Sequence, residues 1–309
     1  MMDVEQPTTS EGEAKGTMIQ TLKARLSPAT LLAAAVLFIV IGVLFVALRN
    51  MIPVGVDWNY SFHGLPILNP YAFNETRPPW SRVYFPPWTM FFLPHTQLDV
   101  HTGNAINYLL NLLVPMIVVV RLTQALEPDD ERRKHRYKAL FLTYTSPFYL
   151  QLMATNNIDW LPLLAFLLPE TLSGIILVCK PQAVGGAFLI FVKRTRGMAL
   201  IPLAIVIVLS FVVWPGWMTK VQMPPLNVAY NVAPFPLMIP LGLYLLWQGW
   251  KGNDEVLTAS ATPFLVPYMT PYAASANMTL IAARYQKTAL MIWLVMWVGV
   301  GIGVRGMLF

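Results

Sequence analysis

Asp57 lies at the edge of an apolar stretch of the chain, where a carboxylate could act as a general base at the membrane surface. It follows the apolar run Ala29 to Leu48, and aromatic residues and prolines surround it. Partial desolvation raises the pKa of a carboxyl group, which suits a general base that takes a proton from a hydroxyl. The alternative interpretation is that Asp57 caps a helix next to a membrane.

Lys180 lies within the apolar segment Gly174 to Arg194 and directly precedes a proline. A proline there interrupts a helix, and interrupted helices at membrane depth line cavities or pack against protein. The ammonium could therefore bind an anionic group such as a phosphate, with Gln182 and Arg82 as further donors. In the alternative interpretation, Lys180 reaches the surface or pairs with Glu170.

Further polar and aromatic residues could complete a sugar-binding site. Amide and carboxyl groups hydrogen-bond sugar hydroxyls, although the same residue types also cap helices and form turns. Tyrosine rings are flat and carry a polar tip, so they stack on sugars or pack in a core. The candidates are Asn156, Asn157 and Asp159, and the tyrosines Tyr60, Tyr84 and Tyr272.

The sequence offers little support for a metal site. His95, Asp99 and His101 have a spacing that would suit metal ligands, but no fourth ligand accompanies them. The single cysteine, Cys179, excludes an intramolecular disulfide. We therefore expect neither a metal nor another cofactor.

The composition favours a membrane protein. The 309 residues are 56% hydrophobic and 12% charged, about half of the charged fraction typical of soluble domains. The net charge of +6 is concentrated in short clusters, which suits cytoplasmic loops better than a surface for nucleic acid.

The apolar segments and the basic clusters predict an all-α polytopic membrane protein with about seven or eight transmembrane or re-entrant helices. Residues 1–26 are polar and are expected to form a disordered cytoplasmic tail, followed by a single integral membrane domain, 27–309. Basic residues precede the first span, and the densest basic cluster, Arg132 to Lys138, follows the second, about Asn104 to Leu126. Both signals place the N-terminus in the cytoplasm. The first loop is then extracytoplasmic and carries juxtamembrane helices.

The rest of the sequence predicts four further spans and two apolar segments that prolines interrupt. Residues 160–192 contain three prolines and a glycine pair, which favours one crossing with short or re-entrant helices. Residues 257–283 are also rich in proline, so that segment crosses or dips and returns. The expected spans are about Lys138 to Ala154, Gly197 to Trp214, Asn227 to Trp250 and Thr288 to Val304.

Several segments of the chain follow one another in an order that a known family shares. The first contains Asp57-Trp58-Asn59-Tyr60, Pro70-Tyr71 and Tyr84-Phe85-Pro86-Pro87; the later ones are Ser146 to Leu168, Gly174 to Arg194 and Pro267 to Ile281. Together they resemble the GT-C-fold membrane glycosyltransferases, most closely the bacterial polyprenyl-phosphate-mannose-dependent α-mannosyltransferases. The chain is shorter than is usual for that family.

The resemblance implies a GT-C fold in the bacterial cytoplasmic membrane and transfer of a hexose such as mannose from polyprenyl phosphate to an extracytoplasmic acceptor. Asp57 matches the family's catalytic base, while Lys180, Gln182 and Arg82 would bind the donor phosphate. The implied partners are membrane lipids and the polyprenyl-phosphate carrier, without nucleic acid.

The shortened chain leaves a second interpretation open. The protein would then be a catalytically inactive derivative of the same fold, acting as a structural or accessory subunit of a larger membrane complex with other protein subunits. A transporter or channel would require more charges within the membrane than Lys180 and Glu170.

Overall fold

The computed structural model describes residues 42–78, 81–124, 129–221, 226 and 231–302. All regular structure in these ranges is helical, without a strand, which confirms the expected all-α class. The expected tail, 1–26, and most of the expected first span lie outside the described residues. The chain divides into two compact units, Met1–Met51 and Ile52–Phe309. In the first unit, α1 spans Gly42–Met51 and ends in a 3₁₀ turn, Arg49–Met51.

The second unit contains short helices before and between the longer ones. A π-helical turn, Trp58–Phe62, and two 3₁₀ helices, Pro87–Phe92 and Pro94–Gln97, occupy the predicted first loop. The α-helices that follow are α2 (Val100–Leu122), α3 (Asp129–Tyr144), α4 (Pro147–Thr155), α5 (Trp160–Leu163), α6 (Ser173–Leu177), α7 (Pro181–Val184), α8 (Ala187–Arg194), α9 (Leu200–Val213), α10 (Trp217–Lys220), α11 (Ile239–Gly252), α12 (Glu255–Leu265), α13 (Ala274–Arg284) and α14 (Gln286–Gly301). Two further 3₁₀ turns are Leu164–Phe166 and Pro271–Ala273.

Helix α2 is the one described helix that is long and apolar enough to cross a membrane, judged by length and composition. Its 23 residues extend about 34 Å at 1.5 Å per residue, close to the roughly 30 Å of a hydrocarbon core. Asp99 begins it as an N-cap, since its Oδ1 accepts a hydrogen bond from the Thr102 amide at 3.1 Å. The predicted second span is therefore a helix, which starts somewhat earlier than expected.

The expected span Lys138 to Ala154 is not one helix. α3 ends at Tyr144, and α4 begins at Pro147 after Ser146 caps it by accepting a hydrogen bond from the Tyr149 amide at 3.3 Å. Proline at the first helical position suits a new start and not a continuation, because it lacks the N–H that a continuing helix would use. The other expected spans correspond to helices of 14 to 16 residues, namely α9, α11 and α14. The start of the span at Asn227 and the end of the last span lie outside the described residues.

The proline-rich segment 160–192 is broken into short helices, as its sequence predicts. α5, α6 and α7 have only four or five residues each, and a proline begins α7 directly after Lys180. These short pieces contribute much of the largest buried apolar cluster, together with Trp58 and Trp88. Isolated helices this short are marginal in water, so packing against other parts of the chain stabilises this segment.

Basic residues from distant parts of the second unit meet at one end of it, here called the basic end and defined as 129–138, 170, 193–194, 250–255 and 283–287. Arg194 contacts Glu170 at 2.9 Å and Glu255 at 2.5 Å, and Lys193 donates to the Trp250 carbonyl. His135 and Gln286 connect α3 to the junction of α13 and α14. α12 starts at this end and α13 returns to it.

Large apolar side chains remain exposed along several helices. α9 exposes Val208 and Val212, and α14 exposes Met291, Val295 and Val298, each by more than 60%. α11 exposes Leu243, Tyr244 and Trp247 by more than half. Soluble monomers rarely present such continuous apolar surface.

Candidate functional site

A cavity lies between the first-loop segment, the turn 157–158, the α6–α7 junction and the extended segment before α13. Its volume is about 100 Å³. Asp57 and Lys180, which are 123 positions apart in the chain, are both on its wall. The other predicted site residues on this wall are Arg82, Gln182, Tyr84, Asn157 and Tyr272.

Asn157 joins the aspartate to the lysine. Its Nδ2 donates to Asp57 Oδ2 at 2.6 Å, and its Oδ1 accepts from Lys180 Nζ at 2.7 Å. Lys180 Nζ also lies 2.7 Å from Asp159 Oδ1, and Asp159 is almost fully buried. We call Asp57, Asn157, Lys180 and Asp159 the cavity network. In this network the Asn157 amide lies between the Asp57 carboxylate and the Lys180 ammonium, and the ammonium also contacts the Asp159 carboxylate. Each charged group therefore has an amide or a group of opposite charge within hydrogen-bonding distance.

Burial raises the pKa of the Asp57 and Asp159 carboxyl groups. Both residues lie outside α2, the candidate membrane span. For Asp57, burial outweighs hydrogen bonds from Asn157 and Tyr272 and the charge of Lys180, all of which lower the pKa. For Asp159, burial raises the pKa to about 6, while the charge of Lys180 acts in the opposite direction. A raised pKa brings a carboxylate closer to the range in which it works as a base at neutral pH.

Three asparagines on α2 hold the parts of the chain that carry the cavity network. Asn104, Asn107 and Asn111 are fully buried and lie at i, i+3 and i+7, so they share one face of the helix. Asn107 Nδ2 donates to the carbonyls of Asn156 and Asn157 at 2.8 and 3.1 Å. Asn111 Nδ2 donates to the Asn157 carbonyl at 2.7 Å. This face therefore fixes the backbone of the turn from which Asn157 reaches the cavity.

The same helix face also positions the segment that leads into Asp57. Asn104 accepts a hydrogen bond from the Gly55 amide at 3.0 Å and donates to the Pro53 carbonyl at 3.1 Å. A Cβ atom at Gly55 would lie 2.3 Å from the Cβ of Asn156, so this position requires a glycine. Trp58 is completely buried and donates to the Val100 carbonyl at 3.3 Å. Asp57 is thus held on a segment that is anchored on both sides.

Asn156 does not line the cavity, contrary to the expectation that it binds sugar. It is fully buried in the left-handed conformation, with φ of 51°, as the C-cap of α4. Its Nδ2 donates to the Asn104 side chain at 2.8 Å, and its Oδ1 accepts from Asn107 and Asn111 at 3.0 and 3.1 Å. Both the nitrogen and the oxygen of the Asn156 amide form structural hydrogen bonds. Asn156 therefore fits the alternative interpretation, in which it caps a helix.

Two other predicted residues also lie away from the cavity wall. Tyr60 is 52% exposed and faces elsewhere, since it is absent from the cavity lining. Asp159 is too deeply buried to contact a ligand and instead contacts Lys180. Glu170 is not the partner of Lys180, because it pairs with Arg194 at the basic end.

Aromatic rings form much of the remaining wall. Phe62 and Phe85 stack with centroids 6.2 Å apart, and Lys180 Nζ lies 5.3 Å from the centroid of the Tyr272 ring. Tyr268 and Thr270 approach from the extended segment before α13. Flat apolar walls beside charged and amide groups are the combination that recognises sugar rings and their hydroxyls.

Sequence reasoning missed the α2 asparagines, although a signal for them was present. Amide side chains repeated at helical spacing in an otherwise apolar helix indicate a polar face that must be paired inside the protein. His95, from the 3₁₀ helix Pro94–Gln97, packs against this face: its ring stacks on Trp58 with centroids 5.1 Å apart, and its Nε2 lies 3.4 Å from Asn107 Oδ1. Within the described ranges, no group of three His, Cys, Asp or Glu side chains could hold a metal ion.

Comparison of the chain with protein-family models, curated proteins and solved structures finds no match.

Proposed function

We propose that the protein is a membrane glycosyltransferase that moves a sugar such as mannose from a polyprenyl-phosphate donor to an extracytoplasmic hydroxyl acceptor. The observation that carries this proposal is the pairing of Asp57 and Lys180 on one cavity wall, bridged by Asn157. The resemblance of the surrounding segments to the GT-C-fold mannosyltransferases supplies the substrate class.

In the proposed reaction, Asp57 takes the proton from the acceptor hydroxyl. The acceptor oxygen then bonds to the anomeric carbon with inversion as the bond from that carbon to the phosphate oxygen breaks. The electron pair leaves with polyprenyl phosphate, which departs as an anion and needs no proton. A single carboxylate therefore suffices, whereas hydrolases that protonate a leaving alcohol use two.

Lys180 would stabilise the charge that develops on the leaving phosphate. An ammonium has three donors; Asn157 accepts from one of them, and Asp159 forms an ion pair at 2.7 Å, so a donor remains for a phosphate oxygen. Gln182 and Arg82 lie on the same wall and would add donors. Tyr84, Tyr272 and Asn157 would contact the sugar or the acceptor.

We further propose that the chain is embedded in the bacterial cytoplasmic membrane through about seven or eight transmembrane or re-entrant helices. The exposed apolar faces of α9, α11 and α14 suit contact with lipid. The basic end collects the residues that the positive-inside rule assigns to the cytoplasm, so the N-terminus would be cytoplasmic and the cavity would face outward.

The test is transfer of labelled mannose, and then of other sugars, from polyprenyl phosphate by the purified chain in lipid vesicles. We expect Asp57→Asn to lower the rate at least about a hundredfold, since general base catalysis contributes roughly 10²–10⁴. Tyr60→Phe is the matched control, because Tyr60 lies outside the cavity, and it should leave the rate unchanged. Equal, nonzero rates in the natural chain and Asp57→Asn would remove Asp57 from the role of base.

A second candidate function is an accessory subunit that retains the fold without catalysis. The cavity volume of about 100 Å³ favours it, because ligand sites usually have roughly 300–1,000 Å³. A Tyr84→Cys variant in a Cys179→Ser background distinguishes the two in native membranes. Rapid reaction with a small maleimide favours an open enzyme site, and protection that is lost on purification favours a partner chain over the cavity.

A further inference from the structure

The Asn157 amide stands between two groups that attract each other. Its Nδ2 donates to Asp57 Oδ2 at 2.6 Å, and its Oδ1 accepts from Lys180 Nζ at 2.7 Å. A carboxylate and an ammonium this near to each other in a buried site attract strongly, and Lys180 does form a direct ion pair with Asp159 at 2.7 Å. Asp57 and Lys180 instead meet through the amide.

The backbone fixes which end of the amide faces which charge. Asn157 is buried, and its Oδ1 also accepts a hydrogen bond from the Ile158 amide at 2.7 Å. If the amide were turned over, Nδ2 would face two donors, the Ile158 N–H and the Lys180 ammonium, and Oδ1 would face the Asp57 carboxylate. The α2 asparagines hold the Asn157 carbonyl. Both the position and the orientation of the amide are therefore set by the fold.

A direct ion pair between Asp57 and Lys180 would impair both groups of the proposed site. A neighbouring cation lowers the pKa of a carboxyl group by roughly 1–3, so Asp57 would be a weaker base. The same contact would occupy a donor that a phosphate oxygen needs. With the amide in place, burial raises the pKa of Asp57, and the charge of Lys180 opposes this less than the hydrogen bonds from Asn157 and Tyr272 do.

We propose that Asn157 is a positioning residue that separates Asp57 from Lys180 and prevents a direct ion pair between them. The inference rests on the proposed function, which makes Asp57 the base and Lys180 the ligand of the leaving phosphate. It adds that the two charged residues work only while a neutral group with a donor and an acceptor lies between them.

The test measures the pKa of Asp57 after Asn157→Ser, in the full chain in lipid nanodiscs. Serine can accept the hydrogen bond from the Ile158 amide, which preserves the turn, but it is too short to lie between Asp57 and Lys180. Infrared spectroscopy follows the protonation of the carboxyl group through its C=O band, assigned to Asp57 by its loss in Asp57→Asn. We expect the pKa of Asp57 to fall by roughly 1–3, because Lys180 then contacts it directly. A residue that only donated a hydrogen bond would give the opposite result, since the loss of a donor raises the pKa of a carboxyl group.

The matched control is the same substitution in a chain without the ammonium, Lys180→Met/Asp159→Leu. Without Lys180 the direct pair cannot form, so Asn157→Ser should raise the pKa of Asp57 in that chain. A rise or no change in the chain that retains Lys180, or a fall in both chains, would overturn the proposal.

Sugar transfer provides a second measurement. In Asn157→Ser its rate at neutral pH should fall about tenfold or more, because the base is weaker, and the acid limb of the pH profile should move to lower pH together with the pKa of Asp57. An acid limb that stays in place would contradict the proposal. The infrared measurement needs no substrate, so a natural chain that transfers no sugar would count against the proposed function and leave the separation of Asp57 from Lys180 to the infrared result.

Discussion

The cavity network and the basic end both join acidic to basic side chains, but they do so in opposite surroundings. Lys180 and Asp159 are buried, with side-chain exposures of 9% and 0%, whereas Arg194 and its partners Glu170 and Glu255 are 21–36% exposed. Both regions are built from chain segments that are far apart in sequence. Only the buried pair of Lys180 and Asp159 carries a large desolvation cost. A functional role would explain why the protein contains this pair despite that cost.

The exposed cluster needs no such explanation. Ion pairs at a surface contribute roughly 0–1 kcal/mol, and salt screens them. Their positions at the ends of α8, α11 and α12 suit solvated loops. Ion pairs of similar length thus indicate a functional site in the cavity network, where they are buried, and a solvated surface at the basic end, where they are exposed.

The largest expected effect is the loss of the buried cation. Lys180→Met leaves Asp159 without its counter-charge and should lower the free energy of unfolding by about 3–5 kcal/mol, against at most about 1 kcal/mol for Arg194→Met. Equilibrium unfolding in detergent micelles measures both. The double variant Lys180→Met/Asp159→Leu should recover most of the loss, since a whole buried pair can be replaced by apolar residues at little cost. Similar losses for Lys180→Met and Arg194→Met would remove the contrast.

The pH dependence of stability sharpens the same contrast. The pKa of Asp159 is raised from 3.8 to about 6, so the folded protein holds a proton between about pH 4 and 6 that the unfolded chain has released. Stability from this group is therefore complete below about pH 4 and is lost as the pH rises through 6. We expect the natural chain to lose, relative to Asp159→Asn, at most on the order of 3 kcal/mol between pH 4 and 7. A difference that grows in the opposite direction would contradict the assignment.

Two left-handed asparagines form a matched pair, Asn156 next to the cavity network and Asn253 at the basic end. Asn156 has φ of 51° and uses its amide to bind α2, whereas Asn253 has φ of 55°, is exposed, and contributes its backbone carbonyl to Arg194. Glycine suits both backbone conformations. Asn156→Gly should therefore destabilise the protein by about 2 kcal/mol through lost hydrogen bonds, and Asn253→Gly should stay within about 0.5 kcal/mol. Thermal unfolding of the two variants side by side measures this, and equal shifts would show that the α2 contacts are weak.

The smallest expected effect concerns Glu255. Replacement by Gln leaves Glu170 to pair with Arg194, so the free energy of unfolding should fall by less than about 1 kcal/mol. The deficit should shrink further in 1 M salt, where the Debye length is about 3 Å. A salt-independent loss would indicate that this pair is desolvated in the bilayer or against another chain.

The sequence predicted the helical class, the helix at the second span and the breaks between residues 160 and 192. Apolar runs and prolines report these features locally, because helix length and proline geometry depend on neighbouring residues. The same reasoning predicted one helix over Lys138 to Ala154, where Ser146 caps a second one instead. A serine before a proline is a start signal, and it prevailed over the apolar composition.

For the candidate site, sequence reasoning identified Asp57 and Lys180, and the fold brings them to one cavity. It did not separate Asn157 from Asn156, because adjacent residues of a turn point in different directions and only the fold determines which one faces a cavity. It also assigned Asp159 to a sugar and not to Lys180, since pairing between distant segments depends on packing. The α2 asparagines supply that packing, and their spacing was readable in advance.

An experimental structure in a lipid bilayer with a polyprenyl phosphate bound tests most directly whether Asp57 and Lys180 form one donor-binding site. We expect a phosphate oxygen at about 2.7–3.2 Å from Lys180 Nζ, with Asp57 on the wall of the same cavity. A phosphate bound at any other place, or another protein chain packed over Asp57 and Lys180, would contradict it.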